Sequence, residues 1–349
     1  MSQYPLPRSL LARCAGQGRG GRDRGYGAGR LRRPAPYPVR PYPLGRDEGD
    51  EVSLQHKKGR LLEMQTVLKG MTKQVIIGDD RPTVIIGERI NPTGRKKLAA
   101  ALLAGDLEPV RREALAQVEA GADVLDINVG AAGVDEVDLL PKAVRLVMET
   151  VDVPVCIDTP NAEALAAALA VHRELAPTGK PLINSVNGEE ASLARVLPLV
   201  AEYGAAVIGL CMDDEGIPTT PELRLAVARK IIERAEAMGI PQEDVIIDCL
   251  ALTMGADSKA GWTTLQAIRL VKEELRVNMT LGASNISFGL PEREVINGAF
   301  IAIAIATGVT CPIVDAAKVR PYILATDLIL GRDDYAMRYI KAFRQRRKR

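Results

Sequence analysis

Short apolar segments alternate with longer segments of helical period from residue 83 to the C-terminus. The short segments are rich in Val and Ile and end in polar residues, which is typical of buried β-strands. In the longer segments apolar residues recur every three or four positions, which predicts helices that pack on one face. We expect eight strands, over residues 83–88, 123–128, 154–158, 181–185, 206–212, 244–248, 279–284 and 311–316.

Eight consecutive strand–helix units predict an α/β protein with the closed (β/α)8 TIM-barrel fold, for which about 250 residues is typical. Gly121, Gly204 and Gly239 are expected to end three of the helices. A doubly wound open sheet is the alternative, but it does not account for eight consecutive units, and no Gly-rich phosphate loop follows the first strand. We therefore assign residues 64–349 to one barrel domain.

Residues 1–63 have a different composition. They are rich in Arg, Gly, Pro and Tyr without helical or strand period, so we expect a disordered extension. They carry 13 Lys and Arg against 6 Asp and Glu, which leaves 33 against 38 for residues 64–349. Cations and Tyr rings together are also a pattern of nucleic-acid-binding arms. A dispensable extension, with Met64 as the start, is the simpler interpretation, and we expect no nucleic-acid partner.

The composition indicates which residues fill the core and in which compartment the protein lies. Aromatic residues make up only 3% of the chain, so Val, Ile, Leu and Ala must fill the interior, as they do in parallel barrels. The five cysteines form no CxxC pair and indicate a reducing cytoplasm rather than a disulfide framework. The longest apolar run, residues 299–309, is shorter than a membrane span, so we expect a cytoplasmic protein without a membrane partner.

Carboxylates and carboxamides follow seven of the eight predicted strands. In a barrel of this kind the chemistry lies at the carboxyl ends of the strands. A single Asp there is most simply a helix cap, but convergence of many such groups predicts a pocket for a polar, uncharged ring rich in N–H groups. The residues are Glu88, Asn91, Asp126, Asn128, Asp158, Asn184, Asn187, Asp248, Ser284, Asn285, Ser287 and Asp315.

Histidine and metal chemistry are disfavoured. The chain has two histidines, and His172 lies in a helical segment, where we expect an exposed or half-buried structural residue. A zinc site formed by Cys156, Cys211 and Cys249 is disfavoured, because Cys156 is expected to face the barrel interior and Cys249 the other side of its strand. We therefore expect no bound metal.

The strand-end sequences resemble the methyltetrahydrofolate:corrinoid methyltransferases and, more distantly, the folate module of cobalamin-dependent methionine synthase and dihydropteroate synthase. The similarity runs from about residue 80 to the C-terminus. It lies in the segments VIIGERINPTGRKKL, VLDINVG, VCIDTPN, INSVNG, AVIGLCM, VIIDCL and GASNISFGLP.

This resemblance implies roles for individual residues. Asp158, Asn184 and Asp248 would hydrogen-bond the pterin ring, and Asn285 would lie near N5 of the folate as the catalytic residue. The remaining substrate-binding candidates fit the pattern without an individual role, and they are Glu88, Asn91, Asp126, Asn128, Ser284 and Ser287.

The resemblance also implies the reaction and its partners. Methyltetrahydrofolate would be the substrate, and a corrinoid protein, such as a corrinoid iron–sulfur protein, would carry the cobalamin. Dihydropteroate synthase activity is an alternative, but that family's basic residues for a diphosphate are replaced by SNISFGLP and IVDAAK. A second alternative is a non-catalytic folate-binding module. The apolar segment 292–309 is expected to pack either within the chain or across a homodimer interface.

Overall fold

The computed structural model describes residues 64–347, so the predicted disordered extension, residues 1–63, lies outside the described residues. The described part begins with an antiparallel hairpin of β1 (Thr66–Lys69) and β2 (Gln74–Ile77). The apolar side chains of this hairpin, such as Leu68 and Ile77, are fully buried against the barrel interior. The hairpin therefore closes the amino-terminal end of the barrel, a role that the sequence pattern did not predict.

All eight predicted strands are present and form one parallel sheet in the order β10-β3-β4-β5-β6-β7-β8-β9. The sheet closes on itself, because Ile313 N donates to Leu281 O at 3.0 Å and Cys311 N donates to Met279 O at 3.1 Å. The prediction of a closed β/α barrel is thus confirmed. The strands are β3 (Ile86–Ile90), β4 (Val124–Ile127), β5 (Val155–Asp158), β6 (Leu182–Asn187), β7 (Ala206–Leu210), β8 (Val245–Asp248), β9 (Met279–Thr280) and β10 (Ile313–Val314).

Helices cover the outside of the strands. They are α1 (Lys96–Leu103), α2 (Glu108–Ala120), α3 (Glu136–Thr150), α4 (Ala162–Leu175), α5 (Glu190–Tyr203), α6 (Pro221–Glu236), α7 (Ala260–Leu275), α8 (Arg293–Thr307), α9 (Ala316–Ile329) and α10 (Met337–Arg346). Short 3-10 turns occupy Gln242–Asp244, Ala283–Ser287 and Asp334–Ala336. No helix in this part of the chain has the length and hydrophobicity that crossing a membrane requires.

Two of the predicted helix stops lie at the helix ends. Gly121 and Gly204 directly follow α2 and α5 and adopt φ values of 98° and 59°, a conformation that glycine adopts without steric cost. Gly239, with φ 78°, comes three residues after the end of α6. The apolar helix α8 buries one face within the chain, while Val295 and Ile303 on its other side are exposed.

The core has two layers, because successive strand residues point to opposite sides of the sheet. One layer fills the barrel and contains Cys156, whereas the other lies between strands and helices and contains Cys211 and Cys249. These three thiols therefore lie on two sides of the sheet. Among residues 64–347, no three His, Cys, Asp or Glu side chains are placed to hold a metal ion.

His172 differs from its predicted environment. We expected an exposed or half-buried side chain, but His172 lies on the buried face of α4 and is only 2% exposed. Its Nε2 has no hydrogen-bond partner in the described part of the chain, and burial lowers the pKa of His172 to about 4. It is an uncharged core residue, since desolvation disfavours the imidazolium form.

Candidate active site at the carboxyl ends of the strands

The carboxyl ends of the strands form the mouth of the barrel, and four predicted polar residues are buried there. Asn184 Nδ2 donates to Asp126 Oδ1 at 3.1 Å, and Asn128 Nδ2 donates to Asp158 Oδ2 at 3.0 Å. Each of these side chains is at most 9% exposed. Because the strands are parallel and in register, side chains from three neighbouring strands meet at one level of the barrel.

Asp126 and Asp158 are also hydrogen-bonded to each other, and Asp126 accepts a hydrogen bond from the Cys156 thiol below it. Burial raises the pKa of Asp126, although the hydrogen bond from Asn184 partly offsets this effect. Burial raises this pKa to about 6, so Asp126 keeps a proton to a higher pH than an exposed aspartate would.

Asp248 lies at the end of β8 and is 5% exposed. Its carboxylate accepts Leu250 N at 2.7 Å and Gly282 N at 3.3 Å, so it joins the loops that follow β8 and β9. Burial raises the pKa of Asp248 to about 6, and the two backbone hydrogen bonds oppose the shift. Asp248 is consequently an acceptor fixed by the backbone and poorly solvated.

A buried arginine supports this loop from behind. Arg224, on α6, is 1% exposed, and its guanidinium donates to the carbonyls of Cys249 at 2.7 Å and Leu250 at 2.9 Å. Leu250 has a φ of 62°, a conformation that non-glycine residues rarely adopt. Thr264 also donates to the Leu250 carbonyl, at 3.1 Å. Arg224 was not predicted, because the α6 sequence gives no sign that this arginine points inward.

A β-bulge places Glu88 in the mouth. Gly87 pairs with Leu125 and Ile90 with Ile127, so β3 has one more residue than β4 between these pairs. The extra residue, Arg89, lacks a ladder partner for its backbone, and bulges of this kind redirect side chains next to active sites.

Two side chains satisfy the backbone of this bulge. The N–H of Arg89 donates to Gln117 Oε1 at 2.8 Å, and its carbonyl accepts a hydrogen bond from Arg95. Gln117 is 3% exposed on α2, and Arg95 is held in turn by an ion pair with Glu113. The bulge is therefore a defined feature of the site, maintained by the helix behind it.

Glu88 spans the mouth from β3 to the segment after β9. Its Oε1 accepts a hydrogen bond from Ser284 Oγ at 2.9 Å. Burial raises the pKa of Glu88 to about 7, with a smaller effect in the same direction from Asp315, while the Ser284 hydrogen bond and Arg89 act in the opposite direction. Glu88 can therefore change its charge near neutral pH.

Asn285 lies in the 3-10 turn Ala283–Ser287 directly after β9. Its carboxamide makes no hydrogen bond with the rest of residues 64–347, although the side chain is half-buried. Its Nδ2 lies 3.5 Å from the position that a β-carbon on Gly282 would occupy, and Gly282 N is bonded to Asp248. An amide without a partner in the described part of the chain is free to contact a ligand.

The other predicted residues have hydrogen-bond partners within their own loops. Asn91 Oδ1 accepts Thr93 N at 2.9 Å, and Asp315 caps α9 by accepting Ala317 N at 3.2 Å. The cap interpretation therefore holds for Asp315. Asn187 Oδ1 accepts Glu189 N at 3.0 Å in the turn before α5.

Comparison with known proteins identifies the family of this chain. The family model described as pterin binding enzyme matches residues 87–315, from the bulge in β3 to the cap of α9. The chain belongs to the pterin-binding enzyme family. The resemblance noted in the sequence is thereby confirmed.

Two curated relatives extend the match. The chain is 31% identical over 271 residues to the methylcorrinoid:tetrahydrofolate methyltransferase of Eubacterium limosum, which covers 75% of this chain and 96% of that protein. It is 32% identical over 276 residues to the methionine synthase of Mycobacterium tuberculosis, covering 75% of this chain. The matched region spans only 23% of that synthase.

Solved structures with the same fold include two dihydropteroate synthases. The Yersinia pestis enzyme has a TM-score of 0.57 at 17% identity and covers 77% of this chain and 99% of its own. A Xanthomonas albilineans enzyme has a TM-score of 0.55 at 22% identity and covers 76% of this chain and 99% of its own. At these identities the similarity establishes the fold alone.

Proposed function

We propose that the protein transfers the N5-methyl group between methyltetrahydrofolate and the cobalt of a corrinoid protein. The observation that carries this proposal is the position of Asn285, whose carboxamide has no partner among residues 64–347 and lies beside Gly282, the residue whose N–H donates to the buried Asp248. The match to a methylcorrinoid:tetrahydrofolate methyltransferase, which covers 96% of that protein and 75% of this chain, supports the same reaction.

Asp158, Asn184 and Asp248 are the proposed pterin-binding groups. Asp158 and Asp248 end their strands, Asn184 lies within β6, and all three are buried, which gives strong hydrogen bonds to a ring that displaces water. Carboxylates accept the N–H donors of the pterin, and a carboxamide can both donate and accept. Asp126 and Asn128 are proposed to fix the orientation of this set through their hydrogen bonds to Asn184 and Asp158.

Asn285 is the proposed catalytic residue. A tertiary amine is a poor leaving group, so the methyl group can leave N5 only as positive charge develops on that nitrogen, which a proton supplies. The carboxamide oxygen of Asn285 stabilises this charge most in the transition state. The cobalt(I) nucleophile attacks the methyl carbon, the carbon–N5 bond breaks, and its electron pair remains on the protonated N5. The nucleophile belongs to the corrinoid substrate, so this chain supplies binding, orientation and electrostatics.

The test is methyl transfer from methyltetrahydrofolate to reduced cobalamin, followed by the change in cobalt absorbance. We expect transfer by the full chain and a kcat about 10²-fold lower for Asn285→Ala, the size found when a preorganised hydrogen bond to a transition state is removed. Asn161→Ala is the matched control, because Asn161 is an exposed cap of α4 and its loss affects stability rather than kcat.

Absence of transfer by the wild-type chain would refute the proposed reaction. Full activity of Asn285→Ala would refute the role of Asn285 while leaving the reaction intact. A parallel assay with a pterin diphosphate and p-aminobenzoate tests the dihydropteroate synthase alternative, for which we expect no product.

A further inference from the structure

The turn that carries Asn285 is bonded to Arg293 and Glu88, and the N–H of Met254 also donates to Ile286 O of the turn at 2.9 Å. Ala283–Ser287 forms a single 3-10 turn between β9 and α8, and only local backbone hydrogen bonds, such as Asn285 N to Gly282 O at 3.3 Å, stabilise it internally. A turn this short has poor hydrogen-bond geometry of its own. Its position therefore depends on contacts with neighbouring elements.

On the outer side, Arg293 at the start of α8 contacts the turn at two points. Its Nη2 donates to Ser284 O at 2.7 Å, and its Nε donates to Ser287 Oγ at 3.0 Å. The guanidinium also lies 5.9 Å from the centre of the Phe288 ring. Two donors of one planar group fix distance and orientation together, which a lysine at this position would not do.

On the inner side, Glu88 contacts the same turn through the Ser284 side chain. The 2.9 Å hydrogen bond from Ser284 Oγ joins the turn to the bulge of β3 on the far side of the barrel closure. Ser284 and Ser287, which we expected to contact substrate, thus have their hydroxyls bonded within the chain. Asn285, between them, has a carboxamide without a partner in the described part of the chain.

We propose that Glu88 and Arg293 are positioning residues that hold the turn Ala283–Ser287 and thereby place the Asn285 carboxamide at the reacting nitrogen. This inference rests on the proposed function and assigns the two residues no contact with the reacting atoms. A displacement of about 1 Å at a catalytic group can cost up to about 10²-fold in rate, so a moderate loosening of the turn has a measurable effect.

The charge of Glu88 adds a pH dependence. Among residues 64–347, the charged groups that face it are Arg89 on its own strand and Asp315 at the end of β10, and the turn contributes the Ser284 hydroxyl. An ionised carboxylate is a stronger acceptor than a neutral carboxyl group. Because burial raises the pKa of Glu88 to about 7, the hold on Ser284 strengthens as the pH rises through neutrality.

The decisive experiment is a double-mutant cycle with Asn285, using the full chain and methyl transfer to reduced cobalamin. We expect Glu88→Ala and Arg293→Ala each to lower kcat about tenfold when Asn285 is present. In the Asn285→Ala background the same substitutions should change kcat by less than about twofold, because residues that act through one group are not additive. Arg195→Ala is the control, since exposed Arg195 bonds only to Ala191 O of its own helix.

A second readout uses the conservative variant Glu88→Gln, whose amide oxygen remains an acceptor. We expect near wild-type kcat at about pH 6 and a ratio of wild-type to variant kcat that rises above about pH 7. The pH dependence of N5 protonation is common to both proteins and cancels in this ratio. Far-UV circular dichroism verifies that each variant is folded.

The outcomes separate this inference from the proposed function. Failure of the wild-type chain to transfer methyl groups contradicts the proposed function. Transfer by the wild type, together with a tenfold effect of Glu88→Ala or Arg293→Ala that persists without Asn285, overturns the positioning role. A ratio for Glu88→Gln that stays constant from about pH 6 to 8 overturns the role of the Glu88 charge.

Discussion

The carboxamide of Asn128 donates from Nδ2 to Asp158 Oδ2 at 3.0 Å while its Oδ1 accepts Gly130 N at 2.8 Å. Both ends of this side chain are thus engaged within the chain. Asn128 therefore orients Asp158.

Asn128→Ala should weaken binding of methyltetrahydrofolate about tenfold, because a hydrogen bond to a charged group contributes roughly 1.5–3 kcal/mol and its loss lets Asp158 rotate. Isothermal titration calorimetry measures the change. Asn128→Asp should bind still more weakly, since it adds a third carboxyl group beside Asp126 and Asp158. An unchanged dissociation constant for both variants would show that Asp158 is positioned without Asn128.

The buried carboxylate of Asp248 should make the protein less stable as the pH rises. The pKa of Asp248 is raised from 3.8 to about 6, so between these values the folded state binds more protons than the unfolded chain. Stability from this group is therefore lost as the pH rises through that window, and the cost is constant above it.

Asp248→Asn removes this cost and should be more stable than the wild type at pH 8 by about 1–2 kcal/mol, although ligand binding suffers. At pH 4 the difference should disappear. Urea unfolding at both pH values provides the comparison. An equal or lower stability of the variant at pH 8 would contradict the prediction, because the hydrogen bonds from Leu250 and Gly282 would then outweigh desolvation.

The sequence predicted which polar residues lie at the mouth of the barrel, but not the bulge and the buried arginine that hold them in place. Asp126, Asp158 and Asp248 could be placed because each follows a β-rich apolar run, and parallel strands bring their carboxyl ends together. The bulge at Arg89 could not be predicted, since one extra residue in a strand leaves no periodic signal. Arg224 is hidden for a similar reason, because nothing in a helix sequence separates a buried, carbonyl-bonded arginine from an exposed one.

The hairpin β1–β2 and His172 show two further limits. Four-residue strands are too short for their alternation to stand out, so the segment before β3 gave no clear pattern. His172 faces the core although histidine is more often half-exposed, because its neighbours on α4 leave that face buried. Tertiary packing, which local sequence patterns do not show, determines both the hairpin and the burial of His172.

Gly87 is expected to tolerate no side chain. A β-carbon there would lie 2.5 Å from Gln117 Oε1. This oxygen accepts a hydrogen bond from the Arg89 N–H, which has no partner on the neighbouring strand. Gly87→Ala should therefore lower the free energy of unfolding by roughly 1–3 kcal/mol, through strain or through the lost hydrogen bond. It should also lower kcat, because the bulge positions Glu88.

Gln117→Ala separates the two causes. This variant leaves the Arg89 N–H without a partner but creates no clash. In the double variant Gly87→Ala/Gln117→Ala the closest remaining neighbour of the added β-carbon is Ala122 Cβ, at 3.2 Å, so the double variant should be less stable than Gln117→Ala by no more than about 1 kcal/mol. Chemical denaturation gives all three values. If Gly87→Ala matches the wild type in stability and kcat, the close packing of Gly87 on Gln117 is irrelevant to the site.

Asp327 should be essential for stability but not for chemistry. It is fully buried on α9, accepts Thr83 N at 3.0 Å and Thr83 Oγ1 at 2.7 Å, and forms an ion pair with Arg338 of α10 at 3.1 Å. Removing one member of a buried charged network leaves the others unpaired, so Asp327→Ala should lose about 3–5 kcal/mol of unfolding free energy.

The loss should also expose α10 to trypsin. Arg338, Lys341 and Arg344 become cleavable once the helix is released, whereas the wild type should be cut there slowly. Thr83 precedes β3 at the end of the barrel opposite the mouth, so the folded fraction of Asp327→Ala should retain wild-type kcat. Arg332→Ala is a milder control, because its 3.9 Å contact with Asp327 is longer than a hydrogen bond. A reduced kcat in fully folded Asp327→Ala would mean that this end of the barrel is coupled to the mouth through β3.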